Sequence, residues 1–345
     1  MARRTRVSFA TFNLYNLNLP GKGIYSDRDG WTAEEFAAKR DWSARMVREL
    51  DADVWGFQEL WSGDALAAVF ETAALAGQYR LLVPPGHRGT SIVCGAAVNQ
   101  DILFGEPEWI RDFPPGFKLD SGGDDAQTPD IAVRVHGFSR PLLRFHIKPR
   151  ARGKVITVYV AHLKSKSPSR LYTEDWYKAD PDFYKDHAIA LGSAVATIRR
   201  TAEAAALRMM LTADMKGNDT PVVVLGDLND ATHSNTLNIV TGQPNYLMSG
   251  LDKGGSDDAL YTVGMLQQYR SFRDVYYTHI HQNVRQSLDH ILVSQEFYDN
   301  SRKRLWAFKG MEVVNDHLNA ENHKADGTTD HGIAKASFEY RPARD

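Results

Sequence analysis

A series of acidic, amide and imidazole side chains falls beside apolar runs that read as β-strands. Asn13 closes the run 7–13 and Glu59 closes 54–59. His162 follows 155–161, while Asp227 and Asn229 follow 222–225. Asp289 opens the strand expected near 288–293, and Asp330-His331 precedes 332–338. Carboxylates are hard oxygen donors for Mg²⁺ or Mn²⁺, while Asp and His can orient or accept a proton. Asn and His can also donate to phosphate oxygens. Such a set suits the attack of water on a phosphoester, where charge gathers on nonbridging oxygens. Taken singly, each residue has a plainer reading. An Asp or Asn beside a strand is ordinarily a turn former, and Glu59 alone would be a solvated strand end. The pattern and its order carry the chemistry.

The elements that must position these residues can be read from periodicity and punctuation. The spacing predicts a helix over 32–50, opened by a capping box of Thr32 and Glu35 and broken at 51–53. A second helix is expected at 64–75, with short strands near 80–83, 91–98 and 102–104. Residues 111–130 hold Pro114-Pro-Gly116 and Ser121-Gly-Gly-Asp-Asp125 and read as a loop. Strands are expected at 131–137, 142–147 and 155–161, the last two joined by a turn at Pro149-Arg-Ala-Arg-Gly153. A helix follows over 186–211. Leu191, Val195, Ile198, Ala202, Ala205 and Met209 share one face of it, which reads as packing on a sheet. No internal repeat, low-complexity linker or composition boundary interrupts the mixture, which favours one α+β or layered domain over 1–345.

Composition narrows the class. Hydrophobic residues at 43% and charged residues at 24% describe a globular chain able to bury a large core, not a disordered one. A net charge of −2 gives no global pull toward a polyanion. The single cysteine, Cys94, excludes an intrachain disulfide and a thiolate metal cage, and its apolar surroundings read as a buried thiol. The basic start Met1-Ala-Arg-Arg-Thr-Arg6 leads directly into an alternating run, without a signal-peptide core. The absence of a membrane-spanning run leaves a soluble, cytoplasmic chain as the expectation, or a secreted one if a leader was removed.

The motifs resemble the endonuclease/exonuclease/phosphatase superfamily with its DNase I-like fold. They are Thr11-Phe-Asn-Leu-Tyr-Asn16, Gly56-Phe-Gln-Glu59, Ala161-His-Leu-Lys-Ser165, Gly226-Asp-Leu-Asn-Asp230, Ser287-Leu-Asp-His-Ile291 and Thr329-Asp-His-Gly332. They reach from near the start of the chain to near its end. The resemblance implies a four-layer α/β/β/α sandwich with the site at one end. It implies Glu59 as principal ligand of Mg²⁺ or Mn²⁺, with Asn13 and Asp330 supporting the metal. His331 would contact the scissile phosphate or act as base, held by Asp289. Asp227 would orient or deprotonate water, Asn229 would bind a phosphate oxygen, and His162 would donate to the phosphate or to the leaving group. Leu60-Trp61 and Tyr15 depart from the abasic-site repair branch. Ala161-His-Leu-Lys-Ser165 is closer to extracellular nucleases and sphingomyelinase-like enzymes.

Substrate is less sharply written. Arg134, Arg140, Arg144, Lys148, Arg150, Arg152, Lys154, Lys164, Lys166 and Arg170 occupy an interval with no Asp or Glu. This is either a stripe for a nucleic-acid backbone or a solvated face paired with acids such as Asp120, Asp124 and Asp125. Residues 164–186 read as a substrate-specific insertion carrying Tyr172, Trp176, Tyr177, Phe183 and Tyr184. These rings could stack on bases, meet a lipid surface, or anchor the insertion to the sandwich. Lys164, Lys166, Arg170, Arg199 and Arg200 are the candidate phosphate contacts. A nuclease acting on DNA or RNA is the leading expectation. A phosphatase or phosphodiesterase for a metabolite or phospholipid headgroup is the alternative, and a non-catalytic binding module comes third. No protein partner is evident.

Overall fold

The computed structural model describes residues 4–26, 28–123, 127–247, 253–271 and 276–343. The chain runs through β1 (Arg6–Leu17), crosses by α1 (Ala33–Leu50) and returns in β2 (Val54–Leu60), parallel to β1. Next come α2 (Gly63–Thr72), β3 (Tyr79–Leu82), β4 (Val93–Asn99) and β5 (Leu103–Asp112). A small hairpin of β6 (Leu119–Ser121) and β7 (Ile131–Val133) precedes β8 (Gly137–Ile147) and β9 (Ile156–His162). Two short helices, α3 (Asp175–Ala179) and α4 (Pro181–Tyr184), lead into the long α5 (Ala188–Met215). After β10 (Val222–Asp227) come α6 (Asn235–Thr241), β11 (Tyr261–Thr262) and α7 (Val263–Gln268). A hairpin of β12 (His279–His281) and β13 (Val284–Gln286) then precedes β14 (Asp289–Val293), β15 (Trp306–Val314) and β16 (Ile333–Tyr340).

Two six-stranded mixed sheets result, in the orders β15-β16-β1-β2-β4-β3 and β11-β14-β10-β9-β8-β5. Alternation along the central strands sends successive side chains to opposite faces. Phe9 and Val54 face the second sheet and meet Val158, Val160, Val223, Leu225 and Phe338 in the inter-sheet core. Ala10, Phe12, Trp55 and Phe57 face outward and are covered by Phe36, Val47 and Leu50 of α1 and by Leu66, Val69 and Phe70 of α2. The second sheet turns Tyr159, Val222 and Val224 toward Leu207 and Leu211 of α5 and Leu237 and Val240 of α6. The layers are therefore helix, sheet, sheet, helix, as the DNase I-like resemblance implies. Cys94 is fully buried in the inter-sheet core. Among the described residues no helix is long and apolar enough to cross a membrane.

The expected capping box is present, with Thr32 accepting from the Glu35 amide while Glu35 accepts from the Thr32 amide. Elsewhere the sequence reading needs correction. The run expected to end at Phe104 continues as β5 to Asp112. Gly105 and Pro107 are tolerated because β5 is an edge strand whose pairing with β8 shifts register there. Part of the expected 111–130 loop is β6, and β7 stops at Val133, short of the expected 137. β15 was not anticipated at all. The stripe expected on α5 points mostly outward, for Leu191, Val195, Ile198 and Met209 are exposed, while Ala202 of the same set is buried. The inward face is Gly192, Ala196, Arg200, Leu207 and Leu211. Its first half packs on main chain rather than on an apolar wall, since a Cβ on Gly192 would stand 2.6 Å from the Ser169 carbonyl oxygen.

One buried acid gives a stability test. Glu296 lies in the turn after β14, and burial pushes its carboxyl up to about 6, opposed by the Ser294 hydroxyl donating at 2.5 Å. Because the folded value exceeds the ordinary 4.5, its stabilisation is complete below that pH and lost as pH rises through about 6. The loss amounts to roughly 2 kcal/mol. Glu296→Gln should therefore melt near wild type at pH 4.5 and a few degrees higher at pH 7.5. A melting difference that stays flat with pH would contradict this assignment.

Candidate active site

Three neighbouring strands of the second sheet end together. The register sets His162 of β9 beside Asp227 of β10, and Asp227 beside Asp289 of β14. Glycine is required next to this row, because a Cβ on Gly226 would lie 1.9 Å from the Ala161 carbonyl oxygen. From the first sheet, β16, β1 and β2 are adjacent and bring Asp330-His331, Asn13 and Glu59 to the same end. Pairing breaks between Asn13 and Leu17 and between Phe57 and Leu60. Tyr15, Asn16 and Glu59 take left-handed φ values of 51°, 58° and 57°. Non-glycine residues in that region cost on the order of 1–2 kcal/mol each, and such bulges re-aim side chains at strand ends.

Hydrogen bonds join the two groups. Asn13 Nδ2 donates to Asp227 Oδ2 at 3.1 Å, and the Asn229 amide donates to Asp227 Oδ1 at 2.8 Å. His331 Nδ1 lies 2.8 Å from Asp289 Oδ2. Its Nε2 faces Asp227 Oδ2 at 3.8 Å, and His162 Nε2 approaches the same oxygen at 3.5 Å. Thr278 Oγ1 accepts from the Asp289 amide at 3.1 Å. Thr329 Oγ1 donates to the Asn13 carbonyl at 2.9 Å and accepts from the His331 amide at 3.2 Å. Asn229 Nδ2 donates to Leu163 O at 3.0 Å, so its side chain braces the neighbouring loop.

The environment drives these groups apart electrostatically. Burial raises the Asp227 carboxyl well above the ordinary range, with the His331 charge opposing. Burial disfavours a charged His331, yet Asp289 and Asp227 outweigh it and hold the ring well above its ordinary value. His162 is held well below, by burial first and then by Arg140 and His331. Glu59 is raised by burial and by Asp330, with Asn13 opposing. Two half-buried carboxylates close enough for one to raise the other favour a cation between them, and their hard oxygens fit Mg²⁺ or Mn²⁺. Among the described residues His279, Asp330 and His331 offer ligand atoms within 4.8 Å of one another, as do Asp227, Asp289 and His331. Glu59 belongs to neither cluster. The second cluster is better read as a hydrogen-bonded chain, since Asp289 already occupies His331 Nδ1.

A cleft of about 680 Å³ opens over this floor, lined by Glu59, His162, Asp227, Asn229, Asp330 and His331. Asn13 and Asp289 stand behind it and contact it through Asp227 and His331. Of the candidate substrate residues, Lys164, Arg170 and Arg199 line the cleft, together with Arg28 and Arg140. Lys166 pairs with Asp230 at 3.2 Å beside it. Arg200 does not reach the cleft. It is buried beneath the loop, donating to the Lys164 and Ser165 carbonyls at 3.3 Å each, while Glu203 accepts from the Lys164 amide at 2.7 Å. The wider basic interval disperses. Arg144 pairs with Glu108 and Asp214, Lys154 pairs with Asp219, and Arg150 stacks on Tyr340 at 3.9 Å. Asp124 and Asp125 lie outside the described residues. Within 164–186, Tyr172, Trp176 and Phe183 are exposed, and Trp176, Tyr177, Phe183 and Tyr184 pack ring against ring. Leu171 supplies the buried anchor.

Lys39 escaped the sequence reading. It is fully buried among Phe12, Tyr15, Trp31 and Trp42, with Nζ 5.5 to 6.0 Å from the ring centres, and donates to Thr328 O at 2.8 Å. Burial pushes its ammonium down to about 7, with Asp330 and Glu59 pulling it back up. It ties the segment carrying Asp330 and His331 to α1. Gly327 permits that closeness, for a Cβ there would stand 2.5 Å from the Ala38 carbonyl carbon. The available signal was a lysine on the apolar stripe of α1, between Phe36 and Ser43. His279, whose ring centre is 5.1 Å from that of His331, was likewise unmarked.

The sequence matches the model of the Endonuclease/Exonuclease/phosphatase family over residues 10–331. No curated protein matches it. Among solved structures it is similar to a mannosyl-6-phosphatase from Bacteroides thetaiotaomicron, with 14% identity, a TM-score of 0.54, and 97% of this chain and 100% of that one covered. The human Nocturnin catalytic domain with bound sulfate gives 13% identity and a TM-score of 0.54, covering 99% and 97%. TDP2 from D. rerio, complexed with single strand DNA product, gives 15% identity and a TM-score of 0.54, covering 97% and 100%. At such identities the likeness speaks for the fold. The family match extends from β1 through His331 and takes in both helix-flanked sheets, and on that ground the chain belongs to the Endonuclease/Exonuclease/phosphatase family.

Proposed function

We propose that the protein is a divalent-metal-dependent phosphoester hydrolase, and in particular a nuclease cleaving DNA or RNA phosphodiesters by attack of water. The observation that carries this is the convergence of three strand ends from each sheet, which puts Glu59, His162, Asp227, Asp330 and His331 around one cleft. Glu59 and Asp330, backed by Asn13, would hold Mg²⁺ or Mn²⁺. Such an ion stabilises charge on the nonbridging oxygens. Asp227, fixed by Asn13 and Asn229, would orient and deprotonate the attacking water. His331, kept protonated by Asp289, would donate to the phosphate rather than act as base, since the two environments push these groups in opposite directions. His162, held neutral, would donate to the phosphate or to the leaving oxygen.

The cations Arg28, Arg140, Lys164, Arg170 and Arg199 around the cleft suit a polyanionic substrate and favour the nuclease reading. A second reading, hydrolysis of a phospholipid headgroup or a phosphorylated metabolite, draws on the exposed Tyr172, Trp176 and Phe183 and on the apolar outer face of α5. We read 1–345 as one catalytic domain in which 164–186 adapts the site to its substrate.

A panel of linear and circular DNA, RNA, sphingomyelin vesicles, inositol phosphates and a sugar phosphate, with Mg²⁺ or Mn²⁺ and with chelator, separates these readings. Nucleic acid should be cleaved in a metal-dependent manner. Asp227→Ala and His331→Ala should each lose at least about a hundredfold in turnover, equivalent to roughly 3 kcal/mol. Wild-type turnover in either variant, or indifference to chelator, would end the proposal. The role of His331 has its own test. Asp289→Asn should lower the titration midpoint of the His331 ring, read by NMR, and reduce turnover by about a hundredfold. An unmoved midpoint would separate Asp289 from the histidine's charge.

A further inference from the structure

The end of the sandwich opposite the cleft carries a second depression of different chemistry. β16 starts beside His331 and ends at Tyr340, which pairs with Trp306 at the start of β15. At about 3.3 Å per residue this places its far end roughly 25 Å from the cleft. An open cavity of about 1230 Å³ lies there, walled by Lys253, Arg270, Arg302, Arg304, Lys309 and Arg341. Among the described residues its wall holds a single carboxylate, Asp299. That group is occupied, since Oδ1 accepts from the Phe308 amide at 3.0 Å and Oδ2 from Arg270 at 2.9 Å. Lys309 and Arg341 share Glu339 at 3.4 and 3.7 Å. Lys253 and Arg304 donate to the Asp299 carbonyl at 3.5 and 3.2 Å, contacts that neutralise no charge. The Arg302 guanidinium has no partner among the described residues, and its side chain is exposed.

These cations arrive from separate stretches of sequence, namely Lys253, the end of α7, the turn before β15, β15 itself and the segment after β16. A solvated face would not need to fold them into one concavity, and the chain around them is slightly acidic. Arg270 is fixed over the Phe308 ring at 4.6 Å, and Arg304 is fixed by the Arg341 carbonyl at 2.9 Å, so part of the wall is preorganised. Guanidinium groups match phosphate oxygens in bidentate pairs, whereas Asp299 and Glu339, the two carboxylates that meet these six cations among the described residues, leave most of the charge unanswered. We propose that this cavity is a second binding site, which takes a multiply charged phosphate anion. Arg302, Arg341, Lys253 and Lys309 grip the anion above the fixed Arg270 and Arg304. The same chemistry is offered by a nucleic-acid backbone and by free polyphosphate. The site is independent of the catalytic reading.

The test is binding of inorganic triphosphate and of a single-stranded oligonucleotide to the full chain, in chelator and over a salt series. Arg302→Glu with Arg341→Glu should weaken binding by at least about tenfold and make it less salt-dependent, because each lost phosphate contact removes roughly one unit of the log–log slope. Turnover of a small chromogenic phosphodiester at the cleft should stay at the wild-type level. Arg302→Ala, which removes a side chain with no partner among the described residues, should show a smaller loss in the same direction and guards against a folding defect. Loss with triphosphate identifies free polyphosphate as sufficient, and loss with the oligonucleotide alone identifies the backbone. Three results overturn the proposal: neither probe binds the wild type, the cavity variants bind both probes as well as wild type, or only Lys164→Ala with Arg199→Ala at the cleft reduces binding.

Discussion

Two buried hydrogen bonds cross from one sheet to the other at the cleft end, Asn13 to Asp227 and His331 to Asp289. The apolar layer between the sheets supplies most of the cohesion, but hydrophobic contact is non-directional and tolerates small slips. A buried polar pair does not, because displacement leaves a charged or donor group without a partner, at a cost of about 1–3 kcal/mol or more. The core therefore holds the sheets together, while the polar end fixes how they are aligned. Site geometry and fold registry are the same constraint viewed from two sides. The residues best placed for chemistry are also the ones that would suffer most from a shift between the sheets.

The outer helices serve the same end through buried charge. α1 delivers Lys39 beneath the segment that carries Asp330 and His331. α5 delivers Arg200 and Glu203 beneath the Lys164–Ser165 main chain. In each case a helix that would otherwise only cover a sheet also satisfies the carbonyl or amide groups of a loop at the cleft. Loops rarely hold their shape through apolar contact alone, since their backbone groups need partners. The left-handed residues Tyr15, Asn16, Glu59 and Asn229 mark where the strands themselves give up regular geometry to aim side chains inward.

Much of this was legible in the residues. The central strands announce themselves because both faces are buried, giving continuous apolar runs, and the polar residue at the end of each run marks where the core stops. The motifs around Glu59, His162, Asp227, Asp289 and His331 therefore located both the family and the cleft. Other features were not legible, for identifiable reasons. The α5 stripe misled because hydrophobic periodicity assumes an apolar partner, whereas the first half of the inward face meets main chain and is built from Gly192, Ala196 and Arg200. Arg200 looked like a phosphate ligand since sequence cannot tell a buried arginine from an exposed one. Lys39 drew no notice for the same reason. β5 was cut short because Gly105 and Pro107 are breakers everywhere except on an edge. The basic interval between Arg134 and Arg170 was contiguous in sequence but not in space, where its members scatter to Glu108, Asp214, Asp219 and Tyr340.

Cys94 has a consequence outside catalysis. Its thiol is sealed in the middle of the sandwich, and burial pushes it up to about 12, so the reactive thiolate is scarce in the native molecule. Its β4 strand pairs with β2 on one side and with the short edge strand β3 on the other, and Cys94 itself packs in the inter-sheet core. A thiol-specific label can therefore reach it only when the sheets separate. The rate of modification in mild denaturant would then report opening of the whole sandwich, giving the molecule a native clock for its own unfolding without any engineered probe.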